Sequence, residues 1–150
     1  MKTLLKSDFP LLVEIQTRWM DNDAYAHVNN VTYYSYFDTA VNQFLISGGV
    51  LDIHESNEIA LVVESGCSYY RSISFPDVLE VGLRVAKIGK SSVRYEIGIF
   101  LKDSDSVCAS GHFVHVYVQR LGRTATSIPP STRALLERIV VPRELEGLSL

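Results

Sequence analysis

Apolar and polar positions alternate along five stretches of this chain, and one long stretch between the first and second changes to a three- and four-residue spacing. Over 11–19, Val13, Ile15 and Thr17 alternate with Glu14, Gln16 and Arg18, which predicts a strand with one buried face. Over 30–46, Tyr33, Phe37, Ala40, Val41 and Phe44 recur on one side, and Tyr34, Asp38 and Asn42 form a more polar neighbouring stripe. That spacing predicts an amphipathic helix, and Gly48-Gly49 supplies its stop. Four strands are predicted next, over 60–71, 78–88, 92–101 and 107–119, separated by turns at Phe75-Pro76-Asp77, Gly89-Lys90 and 102–105. In the last strand Phe113, His115, Tyr117 and Gln119 lie opposite His112, Val114, Val116 and Val118. Pro129-Pro130 precedes a short helix over about 131–138, and the remainder, 139–150, reads as a loosely held tail.

This order predicts an α+β domain: a five-stranded antiparallel sheet, one long helix and a short C-terminal helix. At 150 residues the chain is expected to form a single domain with its core over about 11–138. A helix of about 17 residues covers only one sheet face. No second long helix is predicted, so the exposed edges and apolar surface point to a homo-oligomer, a homodimer or homotetramer.

Composition narrows the function. Hydrophobic residues make up 47% of the chain, and the mean hydropathy of +0.11 is slightly apolar, as an additional buried surface would require. The net charge of −3 and the shortness of the basic clusters at 87–94 and 120–123 exclude a nucleic-acid binder. No signal peptide is expected at the N-terminus, and no apolar run approaches the ~18 residues of a membrane span. Cytoplasmic localisation without membrane insertion is therefore the expectation. Cys67 and Cys108 sit in separate apolar runs and read as buried free thiols. The four histidines show no zinc spacing, and His112 and His115 fall on opposite faces of one strand.

The chemistry is concentrated in Arg18-Trp19-Met20-Asp21-Asn22-Asp23-Ala24-Tyr25-Ala26-His27-Val28-Asn29-Asn30. Two carboxylates, a histidine and two asparagines gather where a strand gives way to a helix. Asp and Asn are ordinary caps there. A carboxylate can also activate water or attack a carbonyl, and the unpaired N–H groups of a helix N-terminus can stabilise the resulting oxyanion.

The same loop resembles the motif of the hotdog-fold thioesterases of the 4-hydroxybenzoyl-CoA thioesterase class. There an Arg-aromatic-x-Asp-x-Asp strand end is followed by Gly-His-x-Asn-Asn and a helix rich in Tyr and Phe. Here these are Arg18 to Asp23, Ala26-His27-Val28-Asn29-Asn30 and Tyr33-Tyr34-Ser35-Tyr36-Phe37. Family-like pieces recur at Ser68-Tyr69-Tyr70-Arg71, Asp77-Val78-Leu79-Glu80-Val81, Lys90-Ser91-Ser92-Val93, Ser110-Gly111-His112-Phe113-Val114 and Ile128-Pro129, so the likeness runs from about Val13 to Arg138. It implies a hotdog fold, a sheet wrapped around the long helix, and hydrolysis of an acyl-CoA or acyl-carrier thioester at a site between subunits.

Carried over residue by residue, the catalytic carboxylate falls at Asp23 and the carbonyl-polarising N–H at Asn30. Tyr25, His27 and Asn29 become candidate substrate contacts, His27 either orienting the loop or touching the thioester. Some relatives hold CoA phosphates with an arginine pair just before Lys90. Those places are Ile88 and Gly89 here, so the nucleotide is expected to rest on Lys90 and Ser91. The family glycine before His27 is Ala26, which gives up easy access to positive φ. Asp21 is expected to pair with Arg18 or close the turn. Glu64 reads as an exposed strand residue or a second carboxylate of the site. No metal or redox cofactor is called for, CoA entering only as part of the substrate. The rivals are a hotdog-fold hydratase or dehydratase, which uses a histidine and an acid on a differently placed helix, and a non-catalytic acyl-CoA or acyl-carrier binding module.

Overall fold

The structure, a computed structural model, describes residues 4–141. Five strands, β1 (Leu11–Gln16), β2 (Glu58–Tyr69), β3 (Val78–Ile88), β4 (Ser92–Leu101) and β5 (Val107–Gln119), form one sheet in the order β1-β3-β4-β5-β2, with every neighbour antiparallel. Helix α1 (Thr32–Ser47) lies along one face, and the short α2 is Pro130–Glu137. This is the predicted sheet wrapped around one long helix.

The alternation explains the layers. Leu79, Val81, Leu83 and Val85 of β3 and Val93, Tyr95, Ile97 and Ile99 of β4 are all buried, and they form one core with Tyr33, Tyr36, Phe37, Ala40, Val41 and Leu45 of α1. Phe44, placed on the buried face by its spacing, is only half-buried; Leu45 and Tyr36 occupy the core instead. The helix comes close to the sheet at Gly111, where a Cβ would stand 2.4 Å from the Phe37 ring. Gly49, at φ +74°, ends α1 by letting Val50 N–H return to the Leu45 carbonyl at 3.1 Å.

Several boundaries move. β1 stops at Gln16 because Trp19–Asp21 form a 3-10 turn. α1 starts at Thr32, two residues after the expected Asn30, because Asn29 supplies the preceding turn: its carbonyl accepts Thr32 N–H at 2.9 Å. β2 runs over 58–69 rather than 60–71, because Glu58 already pairs with Gln119 while Tyr70 and Arg71 N–H both turn onto the Cys108 carbonyl (2.8 and 3.1 Å).

The supposed tail also needs correction over its first residues. Ile139 and Val141 are buried, and they flank Val85 of β3, past the point where Leu11 begins β1 opposite Leu83: Val85 N–H donates to Ile139 O (2.9 Å) and Val141 N–H to Val85 O (3.1 Å). The rest of the tail, 142–150, lies outside the described residues. Cys108 is buried, Cys67 half-buried and both are free, and burial pushes both thiols up. No helix among the described residues is long and apolar enough to cross a membrane.

Candidate active site

The loop between β1 and α1 is built by its own polar residues. Asp21, 2% exposed, is a structural anchor. Its Oδ2 accepts Arg18 N–H (2.8 Å) and the Tyr36 hydroxyl (2.7 Å), and its Oδ1 accepts Arg18 Nη2 (3.0 Å) and Nε (3.2 Å). Burial pushes this carboxyl up, but those hydrogen bonds and the Arg18 charge outweigh it and hold the group below its ordinary value. Both expected roles are thus filled at once: Asp21 pairs with Arg18 and closes the turn.

Asp23 is placed differently. Its Oδ1 accepts Tyr25 N–H at 2.8 Å, while no hydrogen bond engages Oδ2 among the described residues. Its backbone is fixed: Asp23 N–H donates to His27 O (2.8 Å), and its carbonyl accepts Ala26 N–H (3.1 Å). This tight turn needs a left-handed residue, and Ala26 takes φ +65°. The loop therefore keeps the conformation a glycine would give it, at a cost of roughly 1–2 kcal/mol for an alanine. Val28 N–H then ties the loop to Ile73 O at 2.8 Å.

Asn29 is a cap. Its Oδ1 accepts Val31 N–H at 3.0 Å, and its own N–H donates to Asp21 O at 2.9 Å. Asn30 lies just before α1, and its carbonyl accepts the Tyr69 hydroxyl at 3.0 Å. No hydrogen bond engages the Asn30 N–H among the described residues. Asp23 and Asn30 share an open cleft of 340 Å³ with Tyr33, Tyr69, Tyr70 and Arg71. Burial raises the hydroxyls of Tyr33 and Tyr69, the latter to about 12, so both stay protonated donors at neutral pH.

Two of the sequence candidates, Tyr25 and His27, are exposed on the outer turn of the loop. Tyr25 acts on Asp23 through its backbone, and His27 through its carbonyl. Lys90 and Ser91 are not brought to this cleft within one chain. They lie beyond the far end of β3, whose 11 residues at about 3.3 Å each span roughly 35 Å. Their carbonyls hold Ile128 and Tyr117 N–H (2.9 and 2.8 Å). Glu64 is also elsewhere: it is exposed on β2, beside Arg94 (3.3 Å) and His112 (2.8 Å). The residues that sequence reasoning left out of the site are Tyr69, Tyr70 and Arg71. They form a family-like piece in the sequence, but only the pairing of β2 with β5 shows that this strand end meets the Asp23 loop. Among the described residues no group of three or more His, Cys, Asp or Glu side chains is gathered to hold a metal ion.

Comparison with known proteins places this arrangement. Residues 17–136 match the family model of the thioesterase-like superfamily, and the chain belongs to that superfamily. It is similar to the PA5185 protein of Pseudomonas aeruginosa strain PAO1, with 46% identity over 93% of this chain and 98% of that one and a TM-score of 0.91. Two more distant structures share the fold. One is a 1,4-dihydroxy-2-naphthoyl-CoA thioesterase from Synechocystis (16% identity, 83% of this chain and 93% of that one, TM-score 0.77). The other is BH1999, a gentisyl-coenzyme A thioesterase (22% identity, 84% of this chain and 99% of that one, TM-score 0.75). No protein with a curated description matches the chain.

Proposed function

We propose that this protein is an acyl-CoA thioesterase of the 4-hydroxybenzoyl-CoA thioesterase class, working as a homo-oligomer without a metal or redox cofactor. The observation that carries the reading is the Asp23 carboxylate, one oxygen fixed and the other unengaged by the described residues, in one cleft with the Asn30 peptide. In the simplest sequence Asp23 takes a proton from water, the oxygen attacks the thioester carbonyl, and the Asn30 N–H receives the oxyanion. The C–S bond then breaks, and the proton passes to the thiolate, leaving free acid and thiol. Direct attack by Asp23 gives a mixed anhydride that water opens to the same products. One oxyanion donor of this kind is worth about 3–4 kcal/mol. The aryl-CoA thioesters named for two structural relatives make aromatic acyl groups the first to try.

The test is thiol release across a panel of acyl-CoA thioesters, with Asp23→Asn beside the wild type. Release by the wild type and a loss of more than tenfold in kcat for the variant, about 1.4 kcal/mol of barrier, with unchanged Tm, is the expected result. Binding without turnover by the wild type would make the protein a binding module, and addition of water to an enoyl-CoA would make it a hydratase.

A further inference from the structure

Arg71 is the cation in the lining of the Asp23 cleft, and the proposed reaction leaves it without a role. Its backbone is tied down on both sides. Tyr70 and Arg71 N–H both donate to the Cys108 carbonyl of β5 (2.8 and 3.1 Å), and two residues on, the Ile73 carbonyl accepts Val28 N–H at 2.8 Å. Ile73 itself is buried. The position of Arg71 is therefore fixed against the loop that carries Asp23 and Asn30. Its side chain is exposed and uncommitted. Arg18, Arg84 and Arg94 each reach a carboxylate, and Arg120 and Arg133 reach backbone carbonyls. No hydrogen bond or ion pair engages the Arg71 guanidinium among the described residues, not even with Asp23 in the same cleft.

An exposed arginine alone is ordinary surface, and here its neighbours give it a task. The Tyr69 hydroxyl is spent on the Asn30 carbonyl, the Tyr70 hydroxyl is paired with Ser110 Oγ at 2.9 Å, and Asp23 Oδ1 accepts Tyr25 N–H. Beside the unengaged Asp23 Oδ2 and Asn30 N–H stands the guanidinium, a planar fork of five donors that fits a carboxylate bidentately. The reaction decides where such an anion sits on the substrate. Asp23 and Asn30 hold the reacting carbonyl, and the thiol side next to that carbonyl is uncharged. The phosphates of CoA are carried at the far end of the pantetheine arm. An anion that meets Arg71 within this cleft is therefore part of the acyl group. Entering beside the Asp23 carboxylate it would be repelled, and Arg71 offsets that repulsion, which makes charge a criterion of selection. We propose that Arg71 selects acyl groups bearing a carboxylate, which it binds as an ion pair while Asp23 and Asn30 act on the thioester carbonyl. This rests on the thioesterase reading and adds to it the class of acyl group.

The experiment measures Kd by calorimetry for two CoA amides in which NH replaces the thioester sulfur, so that no turnover is needed. One carries a 4-carboxybenzoyl group and the other a 4-methylbenzoyl group. The full chain should bind the carboxylate at least tenfold more tightly, and added salt should shrink that preference, because the contact is exposed. Arg71→Gln should weaken the carboxylate at least tenfold and leave the methyl compound within twofold. Arg71→Lys, which keeps the charge but not the fork, should retain part of the preference. Equal affinities in the wild type, no binding of the carboxylate, or a preference that survives Arg71→Gln would each overturn the proposal. So would an equal loss for both amides in Arg71→Gln, which would place a CoA phosphate on the guanidinium instead. The two readings fail separately. Amides bound as expected with no thioester hydrolysed would remove the thioesterase reading and keep the Arg71 contact. Hydrolysis lost in Asp23→Asn with both amides bound equally would do the reverse.

Discussion

Two aspartates two positions apart sit in opposite settings, and their surroundings separate them. Asp21 accepts four hydrogen bonds in a buried setting, so every favourable direction at its carboxylate is used. Asp23 keeps one oxygen unengaged by the described residues. Asp21→Asn replaces acceptors by a donating amide and loses the ionic partner of Arg18. The expected effect is a loss of about 1.5–3 kcal/mol of stability, read by urea unfolding, with a much smaller effect on kcat than Asp23→Asn. Equal kcat losses at both sites would undo the assignment. His115 makes a separate prediction in pH. Its folded value of about 4 lies below the unfolded value of ~6.5, so between the two the unfolded chain binds the extra proton and stability rises with pH. Stability conferred by the neutral ring is complete above about pH 6.5 and decays to a floor near pH 4 as pH falls. The total is on the order of 3 kcal/mol. His115→Leu should flatten that part of the stability–pH curve, and an unchanged curve would show that the ring is solvated or charged in the folded state.

At the scale of elements, legibility in the sequence depended on how each segment is held. β3, β4 and β5 have the bounds that alternation predicts, because two-sided ladder pairing makes a period of two decisive for which side chains are buried. The loop motif was equally readable as chemistry, and its Asp23–Asn30 juxtaposition is present in the cleft. What sequence could not show was set by pairing partners far along the chain. The contribution of Tyr69, Tyr70 and Arg71 depends on the register of β2 against β5. The opposite location of Lys90 follows from the length of β3. Segment 139–141 has no periodicity to read, yet it completes the edge that β1 leaves at Val85. It is therefore a structural strap rather than a tail. Ile139→Ala should cost about 2–4 kcal/mol in urea unfolding, the usual range for a buried aliphatic truncation. A cost under about 0.5 kcal/mol, typical of a surface residue, would return the segment to the status of a tail.

Among the described residues the sheet ends in two edge strands, β1 and β2, and the β2 edge is the more apolar. β2 pairs with β5 on one side alone among the described residues, and Leu61, Val62 and Val63 on it are 38%, 49% and 60% exposed. An apolar strand edge of this kind recruits another strand, and a second copy supplies one by two-fold symmetry. Trp19, Met20 and Tyr25, around the Asp23 loop, add further exposed apolar surface at 77%, 74% and 82%. We therefore expect at least a dimer in light scattering at micromolar concentration, rather than a particle of 16.8 kDa. Val63→Lys, a charge on the open edge, should shift it toward monomer. The same arrangement bears on Lys90 and Ser91, which one chain holds too far from Asp23 to serve it. If they grip the nucleotide, they do so for a neighbouring subunit. Lys90→Ala should then raise KM for CoA thioesters and leave kcat nearly unchanged, because a phosphate contact remote from the carbonyl is made equally in the ground and transition states. Added salt should shrink that difference, and a short thioester without the nucleotide should show none. Val63→Lys should also raise KM for CoA thioesters as it dissociates the protein. A monomer with full activity and wild-type KM would place the whole site within one chain and remove Lys90 and Ser91 from it.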